Sequence, residues 1–144
     1  MKTKLFLLLG MLIASFCFVS CSDDEENLLD GNWPPLEWKT EVKIHSITGD
    51  GYDHIIENPP LGENLVFTCT NYESLIGVQV DLDGEYLYSK QNDSYNEDWG
   101  SVLIKKNMLN VKLNPQVKEQ VKEIKVIVTV GDAFSCFTFN LAKK

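Results

Sequence analysis

The sequence predicts an all-β protein, an immunoglobulin-like β-sandwich of about seven strands. Short segments of alternating apolar and polar residues follow one another along the chain, as expected for strands with one buried face. Clusters of Gly, Asp, Asn and Pro separate these segments, and long helices do not alternate with them as they would in a parallel α/β sheet. Long connections near residues 48–62 and 114–122 suit strands that change sheets, which favours a sandwich over a barrel.

The predicted strands begin at residues 36–45, where four apolar residues occupy even-numbered positions. Residues 48–62 and 91–98 are rich in polar and turn-forming residues and are predicted to be loops. Further strands are expected at residues 63–70, 76–82, 85–89, 99–105, 108–113, 123–130 and 133–141.

Two dipeptides predict tight hairpin turns, and a third predicts the start of a helix. Residues 83–84 (Asp-Gly) and 131–132 (Gly-Asp) have the composition of two-residue hairpin turns. Asn114 followed by Pro115 is a helix-start signal. It predicts a short helical crossover near residues 115–123, with an irregular loop as the alternative.

Residues 1–20 are predicted to be a lipoprotein signal peptide. Lys2 and Lys4 precede an apolar run that is a little short for a membrane span of about 20 residues. Residues 18–21 (FVSC) then resemble a bacterial lipobox. That resemblance implies cleavage before Cys21 and acylation of its thiol and its new amino group, and more than one acyl chain is needed for stable anchoring. The alternative is an ordinary secreted protein with a chance cysteine.

Residues 21–32 are predicted to be an acidic tether, and residues 33–144 a single β-sandwich domain. Ser22, rather than Asp, follows the cysteine, which in the sorting rule of such lipoproteins implies the outer membrane. Residues 22–26 (SDDEE) resemble the surface-export signal of Bacteroidetes lipoproteins, so a surface-exposed protein is expected. The same carboxylates also keep a tether solvated and extended, and both interpretations can hold together.

The charge of the chain excludes some partners. It has 13 basic residues, all of them Lys, and 21 acidic ones, for a net charge of −8. Loss of residues 1–20 would remove Lys2 and Lys4 and make the net charge more negative still. No nucleic-acid partner is expected, because phosphates require cationic contacts. Membrane contact is expected through the acyl anchor alone.

Two of the four cysteines remain after Cys17 is removed and Cys21 is acylated. A disulfide between Cys69 and Cys136 is one alternative in an oxidising compartment. Strand alternation places Cys69 inward and Cys136 outward, which disfavours the bond unless a bulge near Ser135 reverses the last strand. No second Cys or His lies at the spacing of zinc ligands, so neither a metal nor another cofactor is expected.

Several segments resemble a known family. They are residues 33–38 (WPPLEW), 58–72 (NPPLGENLVFTCTNY), 107–111 (NMLNV) and 128–134 (VTVGDAF). Together they resemble the BACON-like, immunoglobulin-fold domains of Bacteroidetes lipoproteins. The resemblance implies a sandwich that binds carbohydrate or glycoprotein, or that spaces other domains away from the membrane. It implies no catalytic residue.

The chain is not expected to be an enzyme. It has no serine nucleophile elbow, no His-Glu-x-x-His and no phosphate-binding glycine loop. Three aromatic residues near polar loops, Trp33, Tyr95 and Trp99, are candidate ligand contacts, because flat rings stack on sugars. The alternative is that Trp99 packs in the core.

The predicted function is therefore that of a non-catalytic, lipid-anchored cell-envelope protein acting as an accessory or protein-interaction module. A small glycan-binding module is the alternative, and a carboxylate-based hydrolase a remote one. An exposed row of aromatic rings would favour glycan binding. Buried aromatics with an exposed apolar patch or edge strand would favour a protein partner.

Overall fold

The structure, a computed structural model, describes residues 33–89, 91 and 93–141. All of them belong to one compact unit, Trp33–Lys144. The predicted signal peptide, the predicted lipid-attachment residue Cys21 and the acidic tether lie outside the described residues.

The described chain forms eleven strands and one short helix in two sheets. In order they are β1 (Trp38–Thr40), β2 (Ser46–Ile47), β3 (Asp53–Glu57), β4 (Asn64–Cys69), β5 (Gly77–Leu82), β6 (Glu85–Leu87), β7 (Ser94–Glu97), β8 (Gly100–Lys105), β9 (Met108–Leu113), α1 (Val117–Gln120), β10 (Glu123–Val130) and β11 (Ala133–Asn140). The five-stranded sheet has the order β1-β4-β9-β8-β7, and the six-stranded sheet the order β2-β3-β11-β10-β5-β6. Neighbouring strands are antiparallel except β3 and β11, which are parallel. The protein is thus an all-β, immunoglobulin-like sandwich, as the sequence predicts.

The core lies between the two sheets, because one face of each sheet is apolar. In β10 every second residue from Ile124 to Val130 is buried, as alternation requires. The ring of Phe67 in β4 meets that of Phe137 in β11 with their centroids 4.3 Å apart. The predicted inward set of β4, which ends at Cys69, is confirmed by its burial.

Two predicted loops contain strands, so the number of strands exceeds the prediction. Strand β3 lies within residues 48–62 and pairs in parallel with β11. Strand β7 lies within residues 91–98 and forms an edge beside β8. Both are short and flanked by polar or turn-forming residues. Each is therefore specified by its partner strand more than by its own composition.

Of the first predicted strand, residues 36–45, only Trp38–Thr40 forms a strand, and residues 41–45 belong to none. Strand β1 ends at Thr40, whose hydroxyl donates to Val66 O at 2.7 Å and accepts from Val42 N at 3.1 Å. Strand β2 begins at Ser46 in the other sheet. The hydrogen bond to Val66 attaches the end of β1 to β4, and the chain then passes to the six-stranded sheet.

The predicted helical crossover is confirmed as α1, which connects the two sheets between β9 and β10. The helix begins later than the Asn114-Pro115 signal implies, since its N-cap residue is Gln116 and has no side-chain capping bond. The amide of Asn114 instead donates to Asp98 O at 2.8 Å. The signal therefore marks the end of β9 and not the helix cap itself.

Both predicted hairpin turns are present. Asp83 and Gly84 have φ angles of 52° and 91° and join β5 to β6, as a primed turn requires. Gly131, with φ 55°, joins β10 to β11. This second turn lies beside the aromatic residues described next.

Candidate functional site

The aromatic residues predicted as ligand contacts do not form one exposed platform. Tyr95 is 7% exposed, and its hydroxyl donates to Leu87 O at 3.2 Å. Trp99 is 5% exposed and belongs to the core, whereas Trp33 is half-buried. The prediction of exposed contacts is therefore wrong for Tyr95 and Trp99, because burying rings of this size between the sheets gives a large hydrophobic gain.

The two remaining cysteines are both free thiols, so the disulfide alternative is contradicted. Cys69 is fully buried in the core face of β4. Cys136 lies in the other sheet, on the face opposite to that of Phe137, and β11 keeps a continuous register with β10, without a bulge at Ser135. Cys136 is nevertheless only 3% exposed, and burial raises the pKa of its thiol to about 11.

A polar cluster inside the core was not foreseen from the sequence. The hydroxyl of Ser135 accepts from Trp38 Nε1 at 3.0 Å and lies 3.4 Å from His54 Nδ1. Ser135 is fully buried and His54 is 5% exposed, with its ring stacked on Phe137 at 5.0 Å. Burial lowers the pKa of His54. The pair therefore serves core packing, because no substrate reaches a serine hydroxyl enclosed in this way.

No metal centre is formed by the part of the chain that the structure describes. Within it, no three His, Cys, Asp or Glu side chains lie close enough together to hold an ion.

Within the same residues, no helix combines the length and the apolar character needed to cross a membrane.

The ring of Trp33 is held between two neighbours. It stacks on Tyr72 with a centroid distance of 6.4 Å and an interplanar angle of 24°, and the Tyr72 hydroxyl donates to Pro34 O at 2.6 Å. On the turn side, a Cβ placed on Gly131 would lie 2.7 Å from the Trp33 ring. The glycine is therefore required both by its positive φ and by the ring packed on it.

A small cleft, here called the aromatic cleft, opens beside this ring. Its walls include Trp33, Tyr52 and Phe134, and Asp50 and Asp132 are also among its lining residues. Its volume is about 280 Å³. Phe134 is 51% exposed and Tyr52 37% exposed. Two aromatic side chains thus remain accessible where the β2–β3 loop meets the β10–β11 turn.

The β2–β3 loop that carries two of these residues is ordered by its own hydrogen bonds. Asp50 Oδ1 accepts from Thr48 Oγ1 at 2.6 Å and from Tyr52 N at 3.0 Å, and these bonds lower the pKa of Asp50. Tyr52 O accepts from Cys136 N at 2.8 Å. The loop is thereby attached to β11, next to Phe134.

A second concavity shares Phe134 and runs along the outer face of the six-stranded sheet, the face away from the core. Ile76, Ile127 and Phe134, here called the apolar strip, line it, and its volume is about 320 Å³. Ile76 is 62% exposed. Since Phe134 belongs to both concavities, the strip and the aromatic cleft form one continuous surface.

Further exposed rings lie at the edge of the same sheet. Tyr86 in β6 is 52% exposed, and Tyr88, just after it, is 97% exposed. No pattern in the sequence predicts the exposure of Tyr52. The outward position of Phe134, however, follows from its place three residues before the inward Phe137, since neighbouring strand positions alternate between faces.

A larger concavity, of about 660 Å³, lies along β1 and β4. Lys39, Glu41 and Glu63 are among its lining residues. Charges of both signs on an open surface do not by themselves indicate a ligand.

Comparisons with known proteins place the fold but not the function. No family model matches the chain, and no curated protein does. Among solved structures, it is similar to a protein from Bacteroides thetaiotaomicron determined by NMR, with 25% identity, a TM-score of 0.53 and coverage of 87% of this chain and 98% of that one. It is also similar to an IG27 protein domain, with 11% identity, a TM-score of 0.36 and coverage of 78% and 100%. The first match places this fold in a Bacteroides protein of similar extent.

Proposed function

We propose that this chain is a non-catalytic, lipid-anchored cell-envelope protein that binds a partner protein through the outer face of its six-stranded sheet. The observation that carries the proposal is the distribution of exposed apolar side chains. Of the seven large ones in the described chain, only Leu103 lies in a strand of the five-stranded sheet. Ile47, Tyr86 and Phe134 lie in strands of the six-stranded sheet, and Tyr52, Ile76 and Tyr88 lie in segments directly next to its strands. By strand register Ile47 lies on the same side as the buried His54, whereas Ile76, Ile127 and Phe134 line one concavity of the outer face. A contiguous apolar patch of this kind is typical of a protein-contact site.

The edge of the sheet supports the same proposal. Strand β6 is an edge strand of only three residues, too short to pair with a long partner strand, so its side chains and not its backbone support the proposal. Tyr86 lies in this strand and Tyr88 just after it, and tyrosine is enriched at protein interfaces because its ring is apolar and its hydroxyl is polar.

Photo-crosslinking in cells tests the binding surface. A benzoyl-phenylalanine at position 134 should give a discrete crosslinked product with a partner protein. The same residue at position 103 is the matched control, because Leu103 is 46% exposed and Phe134 51% exposed, but on opposite sheets. Equal crosslinking from the two positions, or none from position 134, would contradict the proposal.

The anchor at Cys21 is proposed from the lipobox-like residues 18–21. Labelling with palmitate should mark the wild-type protein and not Cys21→Ser, whereas Cys69→Ser should remain labelled. Labelling of the Cys21→Ser protein would refute the assignment.

Exposure on the outer membrane is proposed from Ser22 and the acidic residues 22–26. Protease added to intact cells should degrade the wild-type protein. Replacement of residues 23–26 by Ala should protect it while leaving palmitate labelling unchanged. A wild-type protein that resists protease on intact cells but not after lysis would place it on the inner side instead.

Membership of the BACON-like group is likewise proposed, on the resemblance of residues 58–72 and 128–134 and on the immunoglobulin-like sandwich. The glycan-binding alternative has lost support, because Tyr95 and Trp99 are buried. The carboxylate-based hydrolase is not proposed, since no observation on the described residues supports it.

A further inference from the structure

The two sheets differ in the charge of their strands. The strands of the six-stranded sheet contain five acidic residues and one lysine. The acidic residues are Asp53, Glu57, Asp81, Glu85 and Glu123, and the lysine is Lys125. The strands of the five-stranded sheet contain three lysines, Lys39, Lys105 and Lys112, and one acidic residue, Glu97. Lys125 is itself paired with Glu123 at 3.2 Å. A partner that approaches the six-stranded sheet therefore meets a negative potential, which favours a basic one.

The aromatic cleft combines this negative charge with accessible rings. The face of an aromatic ring attracts a cation, and tryptophan and tyrosine do so more strongly than phenylalanine. Asp50 and Asp132 add full negative charges, and the hydrogen bonds from Thr48 and Tyr52 keep Asp50 ionised by lowering its pKa. Among the described residues that line the cleft, none is basic.

The size of the cleft limits its occupant. Its volume of about 280 Å³ is below the roughly 300–1,000 Å³ of sites that enclose a drug-sized ligand. A single side chain fits such a space, whereas an oligosaccharide would extend along it. Arginine is also among the residues that most often anchor protein interfaces.

We infer that the aromatic cleft binds the cationic side chain of an arginine or lysine on a partner protein, with the exposed rings of Tyr52 and Phe134 against the cation, the half-buried Trp33 as a wall of the cleft, and Asp50 and Asp132 beside its charge. The inference rests on the proposed protein-interaction function and names the chemistry of the partner's anchoring residue. The adjacent apolar strip then receives the uncharged neighbours of that residue.

Peptide titration tests the inference with the full chain in nonionic detergent micelles. The probes are acetyl-Gly-Arg-Gly-amide and the same peptide with citrulline, which has nearly the same shape without the charge. Two-dimensional proton–nitrogen NMR should show the arginine peptide shifting the signals of residues 50–52 and 131–134. We expect it to bind at least about threefold more tightly than the citrulline peptide, and more weakly as salt is added.

Paired substitutions locate the charge. Asp50→Asn keeps an oxygen that can accept the loop hydrogen bonds, so it removes charge with little structural change. Combined with Asp132→Asn, it should weaken binding of the arginine peptide about tenfold, if each carboxylate contributes about threefold. Glu97→Gln, in β7 of the other sheet, is the control and should leave binding unchanged.

Several outcomes would overturn the inference. Equal binding of the two peptides would do so, as would arginine binding that survives the double substitution. Binding of a neutral oligosaccharide such as chitotetraose, without arginine binding, would assign the cleft to glycans. Self-association that the double substitution abolishes would assign it to a second copy of this chain.

The failure of this inference is distinguishable from failure of the proposed function. If the arginine peptide does not bind but position 134 still crosslinks to a partner, only the cation assignment falls. If position 134 does not crosslink, the protein-interaction proposal falls with it.

Discussion

Replacing Phe137 by alanine removes the ring at the centre of the sandwich. Phe137 is fully buried, and its centroid lies 4.3 Å from that of Phe67 and 5.0 Å from those of Trp38 and His54. Truncation of a buried Phe to Ala typically costs about 3–5 kcal/mol. Aromatic pairs contribute roughly 0.5–1.5 kcal/mol each beyond their buried area. Because three rings neighbour Phe137, we expect Phe137→Ala to lower the free energy of unfolding by about 4–5 kcal/mol, near the upper end of the typical range for buried Phe.

That loss is large compared with the stability of a domain of this size, which is typically about 5–15 kcal/mol. Urea unfolding of residues 22–144, followed by far-ultraviolet circular dichroism and by tryptophan fluorescence, measures it. The described strands and the core all lie within this segment. We expect the midpoint to fall with little change in slope, because the same surface is exposed on unfolding.

Phe134→Ala is the matched control, since it makes the same chemical change in the same strand at a ring that is 51% exposed. It should cost less than about 1 kcal/mol, in the range of exposed substitutions. A Phe137→Ala cost below about 2 kcal/mol, or similar costs for the two variants, would show that Phe137 is not the centre of the core.

Three further predictions concern a turn, a buried histidine and a thiol. Gly131→Ala should destabilise the domain by about 1–3 kcal/mol and alter Trp33 fluorescence, since φ is 55° and the added Cβ meets the ring; Gly51→Ala, also at positive φ but with nothing near its Cβ, should cost less and leave the spectrum unchanged. Burial lowers the pKa of His54 from its ordinary value of 6.5, so as the pH falls the unfolded chain binds a proton at this side chain before the folded chain does. The free energy of unfolding should therefore decrease as the pH drops below about 6.5. In urea titrations at several pH values, His54→Phe should flatten this dependence. Cys136, with a pKa of about 11, should react with iodoacetamide only after unfolding, and rapid alkylation of the native protein, followed by mass spectrometry, would contradict its burial.

The parts of the fold that depend on neighbouring residues in the chain were predictable. Alternation identified the buried face of β10, and the Asp83-Gly84 dipeptide identified a hairpin turn. Each depends on the backbone geometry of a few consecutive residues. The same local logic placed Cys136 on the outer face of β11 but could not predict that its neighbours shield it there.

Strand β3 was missed because its partner is distant in the sequence. His54 and Ile56 alternate with less buried neighbours, but this five-residue segment, with only two apolar residues, becomes a strand by pairing with β11, about 80 residues later. The candidate site was missed for the same reason. Trp33, Tyr52 and Phe134 come from three separate segments, and no local pattern relates them.

By itself, the sequence determined the sandwich class, the main hairpins and the inward faces of the long strands, because alternation and turn chemistry act over a few residues. It also supplies the signals on which the proposed anchor at Cys21 rests. Only the tertiary structure decided which aromatic rings remain accessible, burying Tyr95 and Trp99 and leaving Tyr52 and Phe134 beside Trp33. The physical reason is that solvent exposure depends on which distant segments cover a side chain, and strand pairing across the fold sets that arrangement.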